Sequence, residues 1–248
     1  MKEKVWVVMP CFESDQRITE TLNNWISHFQ RLNVEATFCL VDDHSEESRW
    51  KKLIHQLNGV HGLRAEVFRL KRNYGQPFAT CIGVAMGKGE VVYTTDDDLK
   101  VGPKFFENLY STLISKQLDY GFITIEREFN GVLDRLGSQL FNRFWSWWLN
   151  YPVHGSNHRV ILGSQMCHVL QKGLHRFNFL DPLLLKTYGK GQFFWVAGGC
   201  DGSKEGKSRH GLIKKIRMTF MTILSLSDDR LKKSLPEVFL QEKILIEN

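Results

Sequence analysis

Three consecutive carboxylates, Asp96, Asp97 and Asp98, close a run of strand-forming residues, EVVYTT, at positions 90–95. Like charges this close raise one another's pKa unless a cation or a basic group neutralises them. On an extended strand end, residues two apart point the same way, so Asp96 and Asp98 share a side and Asp97 faces away. Two carboxylates on one side can share a hard divalent cation such as Mg2+, which keeps several waters and takes phosphate oxygens as further ligands. The chemistry suited to that arrangement is binding of a metal–diphosphate. A solvated acidic turn is the competing reading. An earlier acidic pair, Asp42 and Asp43, closes the apolar run TFCLV at 37–41. Alone, that pair reads first as turn or helix-cap residues.

The elements that must position these residues alternate. VWVVM at 5–9, TFCLV at 37–41, residues 65–70 and EVVYTT at 90–95 have the composition of buried strands. Between them, residues 18–29, 46–57 and 75–86 follow helical patterns. This order predicts an α/β fold with a mostly parallel central sheet flanked by helices. Ligands of such sheets bind beyond the carboxyl ends of the strands, where both acidic clusters fall. Farther on, the patterns predict a helix over 104–115, a strand over 120–125 and an aromatic-rich helix over 133–149. A helix over 160–171, a strand over 192–197 and an amphipathic segment over 212–226 follow. Among the tryptophans at 145, 147 and 148, core packing is the first reading and an interfacial role the second.

Three segments in order, VVMPCFES, LVDDHSEES and RNYGQPFATCIGVAMGKGEVVYTTDDDL, carry a resemblance. The chain resembles family 2 glycosyltransferases of the GT-A (Rossmann-like) fold. It looks most like the branch that transfers sugars to polyprenyl phosphates, the dolichol-phosphate mannosyltransferase and undecaprenyl-phosphate sugar transferase group. The later segments GSNHRVI, at 155–161, and EGKSRHGLIKKIRMTFMTILSLS are similar to that branch's arginine-bearing segment and its juxtamembrane run. The resemblance covers roughly residues 5–227, read as one GT-A domain over 1–227, with 228–248 as a C-terminal helical extension.

The resemblance implies a role for each matching position. Pro10, Cys11 and Phe12 would line the nucleotide base, with Glu13 beside them and Phe12 in place of the stacking tyrosine. Asp42 or Asp43 would accept from the base imide N–H. Arg72, Asn73 and Gly75 would form the loop near base and ribose. Asp96 and Asp98 would hold Mg2+ or Mn2+ against the diphosphate, with Asp97 and Asp98 also counted in the catalytic set. Arg159 would face a donor or acceptor phosphate, and Lys207 and Arg209 an acceptor phosphate, a role suited to arginine. Departures from the family are Ser14 where an acidic residue is usual, Glu13 for asparagine, Lys100 for glutamine and His158 for an aromatic.

The transition state of such a transfer has oxocarbenium character. A hydroxyl acceptor requires a general base, for which Asp181 is the candidate, whereas a phosphate acceptor is already ionised. The basic residues Lys204, Lys207, Arg209, Lys214, Lys215 and Arg217 could draw in a lipid phosphate. The segment 204–226 therefore reads either as a peripheral membrane contact or as an ordinary packed helix with a solvated face. The nucleotide (UDP, GDP or dTDP), the sugar and the acceptor, a polyprenyl phosphate or a hydroxyl, stay open at this level, as does a catalytically silent scaffold.

Composition agrees with these expectations. The chain has 248 residues, 33 Lys plus Arg against 27 Asp plus Glu, a net charge of +6, and 42% hydrophobic residues. That is too apolar for a disordered tail. No stretch approaches the ~18 apolar residues of a spanning helix, and the first residues have a strand's pattern rather than a signal peptide's. Five scattered cysteines point to a reducing, cytoplasmic setting and away from a disulfide framework. Gly202 and Gly206 are spaced too closely for a P-loop, no G-x-G-x-x-G follows the first strand, and no G-x-S-x-G elbow is present. His154 and His158 lack a third zinc ligand, and no nucleic-acid-binding module is recognisable.

Overall fold

The run beginning at Val5 becomes the central strand of an eight-stranded sheet because its neighbours offer apolar partners on both sides. The computed structural model describes residues 4–14, 16–98, 101–125, 143, 146–147, 157–174, 180–189, 192–196 and 235–248. The strands are β1 (Lys4–Cys11), β2 (Glu35–Asp42), β3 (Arg64–Leu70), β4 (Val91–Thr94), β5 (Tyr120–Ile125), β6 (His158–Leu162), β7 (Gln192–Val196) and β8 (Leu240–Glu247). Their order across the sheet is β7-β5-β6-β4-β1-β2-β3-β8. The pairs β1–β2, β1–β4, β2–β3 and β5–β7 are parallel, and β3–β8, β4–β6 and β5–β6 antiparallel. The helices are α1 (Arg17–Leu32), α2 (Glu47–Asn58), α3 (Gln76–Ala85), α4 (Pro103–Lys116), α5 (Gln165–Gln171) and α6 (Leu180–Tyr188).

Strand alternation sends β1 side chains into two cores. Val5, Val7 and Met9 meet Trp25 of α1, Leu53 of α2 and Phe106 of α4 on one face. Trp6 and Val8 meet Phe78 and Ile82 of α3, Met166 of α5 and Leu184 of α6 on the other. Gly83 lets α3 lie directly on β1: an added Cβ would collide with Val8, and the Gly83 carbonyl accepts from Trp6 Nε1 at 2.9 Å.

Pro10 lies inside β1, one residue beyond the expected strand end at Met9. The β4 ladder stops at Val8 opposite Thr94, so past that point β1 pairs only with β2 and a missing N–H is tolerated. The chain passes from β1 to β2 and β3 on one side, then crosses to β4 on the other. The carboxyl ends of β1 and β4 therefore flank a topological switch point.

Two expectations of secondary structure are corrected. The helix expected over 160–171 is instead strand β6, a turn at Gly163 with φ 74°, and the short helix α5. Val160 and Ile161 pair with Tyr93 and Val92 of β4, and this cross-strand burial overrides their helix-compatible spacing. The helical extension expected over 228–248 is not helical at its end. Residues Pro236–Phe239 make one 3-10 turn, and β8 pairs antiparallel with β3, covering what would otherwise be an open edge of β3. The division of the chain at 227 falls outside the described residues, as do the segment 204–226 and most of the helix expected over 133–149. Of the latter, Trp147 is described and is 75% exposed, so it is not a core residue. Among the described residues, no helix is long and apolar enough to cross a membrane.

Candidate active site at the carboxyl edge of the sheet

The turn after β1 is pinned to the turn after β2. Glu13, at φ 53°, donates its N–H to Ser45 Oγ at 2.8 Å, and its Oε1 accepts from Glu46 N at 2.9 Å. Pro10 and Cys11 are buried beneath this turn, while Phe12 is 39% exposed at its tip. Burial, with Asp97 and Asp42 nearby, pushes the Cys11 thiol well up, so it stays protonated. Of the residues expected to line a base, Phe12 is the one that presents an open ring.

Asp42 and Asp43 are both buried, and they do different things. Asp42 accepts from Ser45 N at 3.1 Å and Ser45 Oγ at 2.5 Å, with Arg69 Nε 3.6 Å away. Burial still holds its carboxyl above the usual range. Asp43 accepts from Tyr74 N and Gly75 N, each at 2.7 Å, fastening the loop that carries Arg72, Asn73 and Gly75 to the end of β2. Gly75 sits at φ 98°, a conformation only glycine adopts easily, and it opens α3. Arg72 and Asn73 are exposed, and the Arg72 guanidinium lies 4.9 Å from the Tyr74 ring centroid.

Of the three carboxylates after β4, Asp97 meets Ser14 and Asp96 meets Gln76. Asp97 turns toward the segment after β1, where Ser14 Oγ donates to its Oδ2, and Thr21 Oγ1 of α1 donates to its backbone carbonyl at 3.3 Å. Burial, opposed by the Ser14 bond and reinforced by Asp96 and Asp98, pushes the Asp97 carboxyl up to about 6. Asp96 points elsewhere: Gln76 Nε2 donates to its Oδ1 at 2.6 Å, and His158 Nε2 lies 3.7 Å from its Oδ2. Asp96 and Asp98 are half-buried and are the carboxylates that could hold a cation. Among the described residues, no three His, Cys, Asp or Glu side chains are grouped to hold a metal ion by themselves.

Arg159 and Asp181, expected to act separately, form one buried pair. Arg159 Nε donates to Asp181 Oδ1 at 2.6 Å, and its Nη1 donates to Thr94 Oγ1 at 3.3 Å. Sheet register sets Arg159 opposite Thr94, and the first turn of α6 brings Asp181 to that arginine. Lys207 and Arg209 lie outside the described residues.

Four residues of the site were not among those expected. Ser14 and His158 stood out in the sequence as departures from a pattern, and their partners Asp97 and Asp96 explain what they do. Gln76 and Thr94 carried no signal beyond their neighbours, because their roles arise from strand and helix ends brought together across the fold.

Residues 6–177 match the family described as Glycosyl transferase family 2. An undecaprenyl-phosphate 4-deoxy-4-formamido-L-arabinose transferase of Aeromonas hydrophila is 23% identical over 231 residues, covering 92% of this chain and 69% of that protein. A dodecaprenyl-phosphate galacturonate synthase of Rhizobium johnstonii is 26% identical over 231 residues, covering 89% of this chain and 64% of that protein. Among solved structures, mannosyl-3-phosphoglycerate synthase from Rubrobacter xylanophilus has TM-score 0.60 at 18% identity, covering 96% of this chain and 80% of that one. Glucosyl-3-phosphoglycerate synthase from Mycobacterium tuberculosis, with Mn2+, UDP-glucose and phosphoglyceric acid bound, has TM-score 0.60 at 14% identity, covering 90% of this chain and 78% of that one. These likenesses show the GT-A fold. The sheet order, the acidic switch point and a match that runs through most of the chain lead to one assignment: this chain belongs to glycosyl transferase family 2.

Proposed function

We infer that the chain transfers a sugar from a nucleotide-diphosphate sugar to a polyprenyl phosphate, with inversion, at a membrane surface. The observation that carries this reading is the placement of Asp96, Asp97 and Asp98 at the switch point, where Asp97 meets Ser14 of the turn that bears Phe12. The acceptor class is supported by relatives along most of the chain that are named as polyprenyl-phosphate transferases.

The residues present fit a hard divalent cation. Burial and the charges of Asp96 and Asp98 push the Asp97 carboxyl up to about 6, an excess of negative charge that a cation relieves. Asp96 and Asp98 would hold it, and when bound it would neutralise the charge developing on the departing diphosphate. Phe12 offers a face to the base, and Asp43 holds the 72–75 loop beside it. The new bond joins the anomeric carbon to an acceptor phosphate oxygen. The bond to the diphosphate breaks, and the nucleoside diphosphate leaves with the electron pair. An ionised phosphate needs no base, in keeping with Asp181 being paired to Arg159.

The test is incubation of the purified protein with Mn2+ or Mg2+, a panel of nucleotide sugars, and vesicles with or without polyprenyl phosphate. Labelled sugar should enter the lipid fraction only with polyprenyl phosphate present. Transfer to a soluble hydroxyl acceptor alone would overturn the acceptor class, and neither transfer nor donor hydrolysis would overturn the activity.

A further inference from the structure

The C-terminal strand reaches the loop at 72–75 from the outer edge of the sheet. The β3–β8 register shifts between Arg69 and Leu70, and just before β8 the 3-10 turn brings Phe239 to the end of β3. There Lys71 N donates to the Phe239 carbonyl at 3.0 Å. The Phe239 ring stands edge-on to Tyr74, with centroids 5.5 Å apart at 90°, and to Phe78, 5.0 Å apart at 77°. Tyr74 and Phe78 are themselves 5.2 Å apart. Edge-to-face packing is the arrangement that ring quadrupoles favour.

Tyr74 is the anchor of the loop. Asp43 grips its backbone N–H from the end of β2, the Arg72 guanidinium rests against its ring, and Phe239 supports that ring from the 3-10 turn that leads into β8. The strand that follows Phe239, β8, is itself tied along its length. Glu242 Oε2 accepts from Trp50 Nε1 at 3.1 Å, Lys243 pairs with Glu66 at 2.7 Å, and Asn248 Nδ2 donates to the carbonyls of Leu57 and Val60, each at 3.0 Å.

We propose that Phe239 is a positioning residue for the donor: through this ring the C-terminal strand holds the 72–75 loop in the shape that receives the nucleotide. The proposal rests on the reading of that loop as the base and ribose contact. A loop ordered before binding gives up less freedom when the ligand arrives, so its support acts on affinity rather than on the chemical step.

The test compares Phe239→Ala with Ile246→Ala, a buried residue of β8 that packs into the opposite core. Two quantities are measured on each full-length protein: affinity for UDP, GDP and dTDP with Mn2+ by calorimetry, and amide hydrogen exchange at Tyr74 and Gly75. Phe239→Ala should weaken binding of the preferred nucleotide about fivefold, the scale of one or two ring contacts. It should also speed exchange at both amides and raise the donor KM with kcat unchanged. Ile246→Ala should lower the melting temperature and do none of these. Equal behaviour of the two variants overturns the proposal. If the native chain binds none of the three nucleotides, the donor reading falls, and exchange alone decides whether Phe239 holds the loop. If Phe239→Ala does not fold, Phe239→Leu takes its place, with about a twofold weakening expected and native values in both measurements overturning the proposal.

Discussion

Ser14 donates its hydroxyl to Asp97 across the switch point, so the end of β1 and the end of β4 are joined by a side-chain bond. The family's usual residue at position 14 is acidic. Beside Asp97, already pushed up to about 6 by burial and its two neighbours, another carboxylate would add repulsion, whereas a hydroxyl supplies a donor. Ser14→Asp is therefore expected to destabilise the metal-free protein by about 1–2 kcal/mol, with much of the loss recovered on adding Mn2+. Thermal unfolding with and without the ion checks this. A Ser14→Asp protein as stable as the native chain in EDTA would contradict it.

Asp97 also predicts a pH dependence. Its carboxyl titrates near 3.8 when unfolded and is pushed up to about 6 when folded. Between those values the folded chain holds the extra proton, so its stability falls as pH rises through the window. In EDTA, Asp97→Asn should be more stable than the native chain at pH 7.5, by on the order of 2 kcal/mol. The difference should vanish below pH 4. Denaturant titrations across pH 4–8 measure it, and a pH-independent difference would assign the effect to packing.

Asp96→Asn and Asp98→Asn should each lower transfer by about a hundredfold or more, the usual scale for losing a group that stabilises developing charge. Because Gln76 and His158 flank Asp96, the first substitution leaves its oxygen as an acceptor and should barely change the melting temperature. Mn2+ binding followed by electron paramagnetic resonance separates lost metal affinity from lost folding. Undiminished Mn2+ affinity in both variants would remove these residues from the metal site.

Arg159 and Asp181 are both largely buried, and removing one leaves the other's charge unpaired. Arg159→Met or Asp181→Leu alone should cost about 3–5 kcal/mol, and the double variant less than the sum. A double-mutant cycle in urea reads the coupling. Additive losses would show that the 2.6 Å contact contributes nothing to stability.

Much of the fold was legible because its signals are local. Apolar runs separated by helical periods set out β1, β2 and β4, and the aspartates that close the second and fourth runs sent Asp42, Asp43 and Asp96–Asp98 to one edge of the sheet. The two misread stretches have weak local signals and strong distant partners. LQEKILIE has the leucine, glutamate and lysine of a helix, yet it is a strand because β3 offers an open edge to pair with. Val160 and Ile161 fit a helical period but are held between β4 and β5.

The sequence by itself determined the residue types at the strand ends, hence the charge, the family and the side of the sheet on which chemistry occurs. Only the tertiary structure decided how those groups are divided. Asp43 was assigned to the 72–75 loop, Asp97 to Ser14, Arg159 to Asp181, and Phe239 to Tyr74. The reason is physical: a carboxylate's place in the chain sets where it emerges, but its partners come from elements far away in the chain, as the Trp50–Glu242 bond illustrates (242 − 50 = 192). Strand register and helix packing, not local spacing, bring such groups within bonding distance.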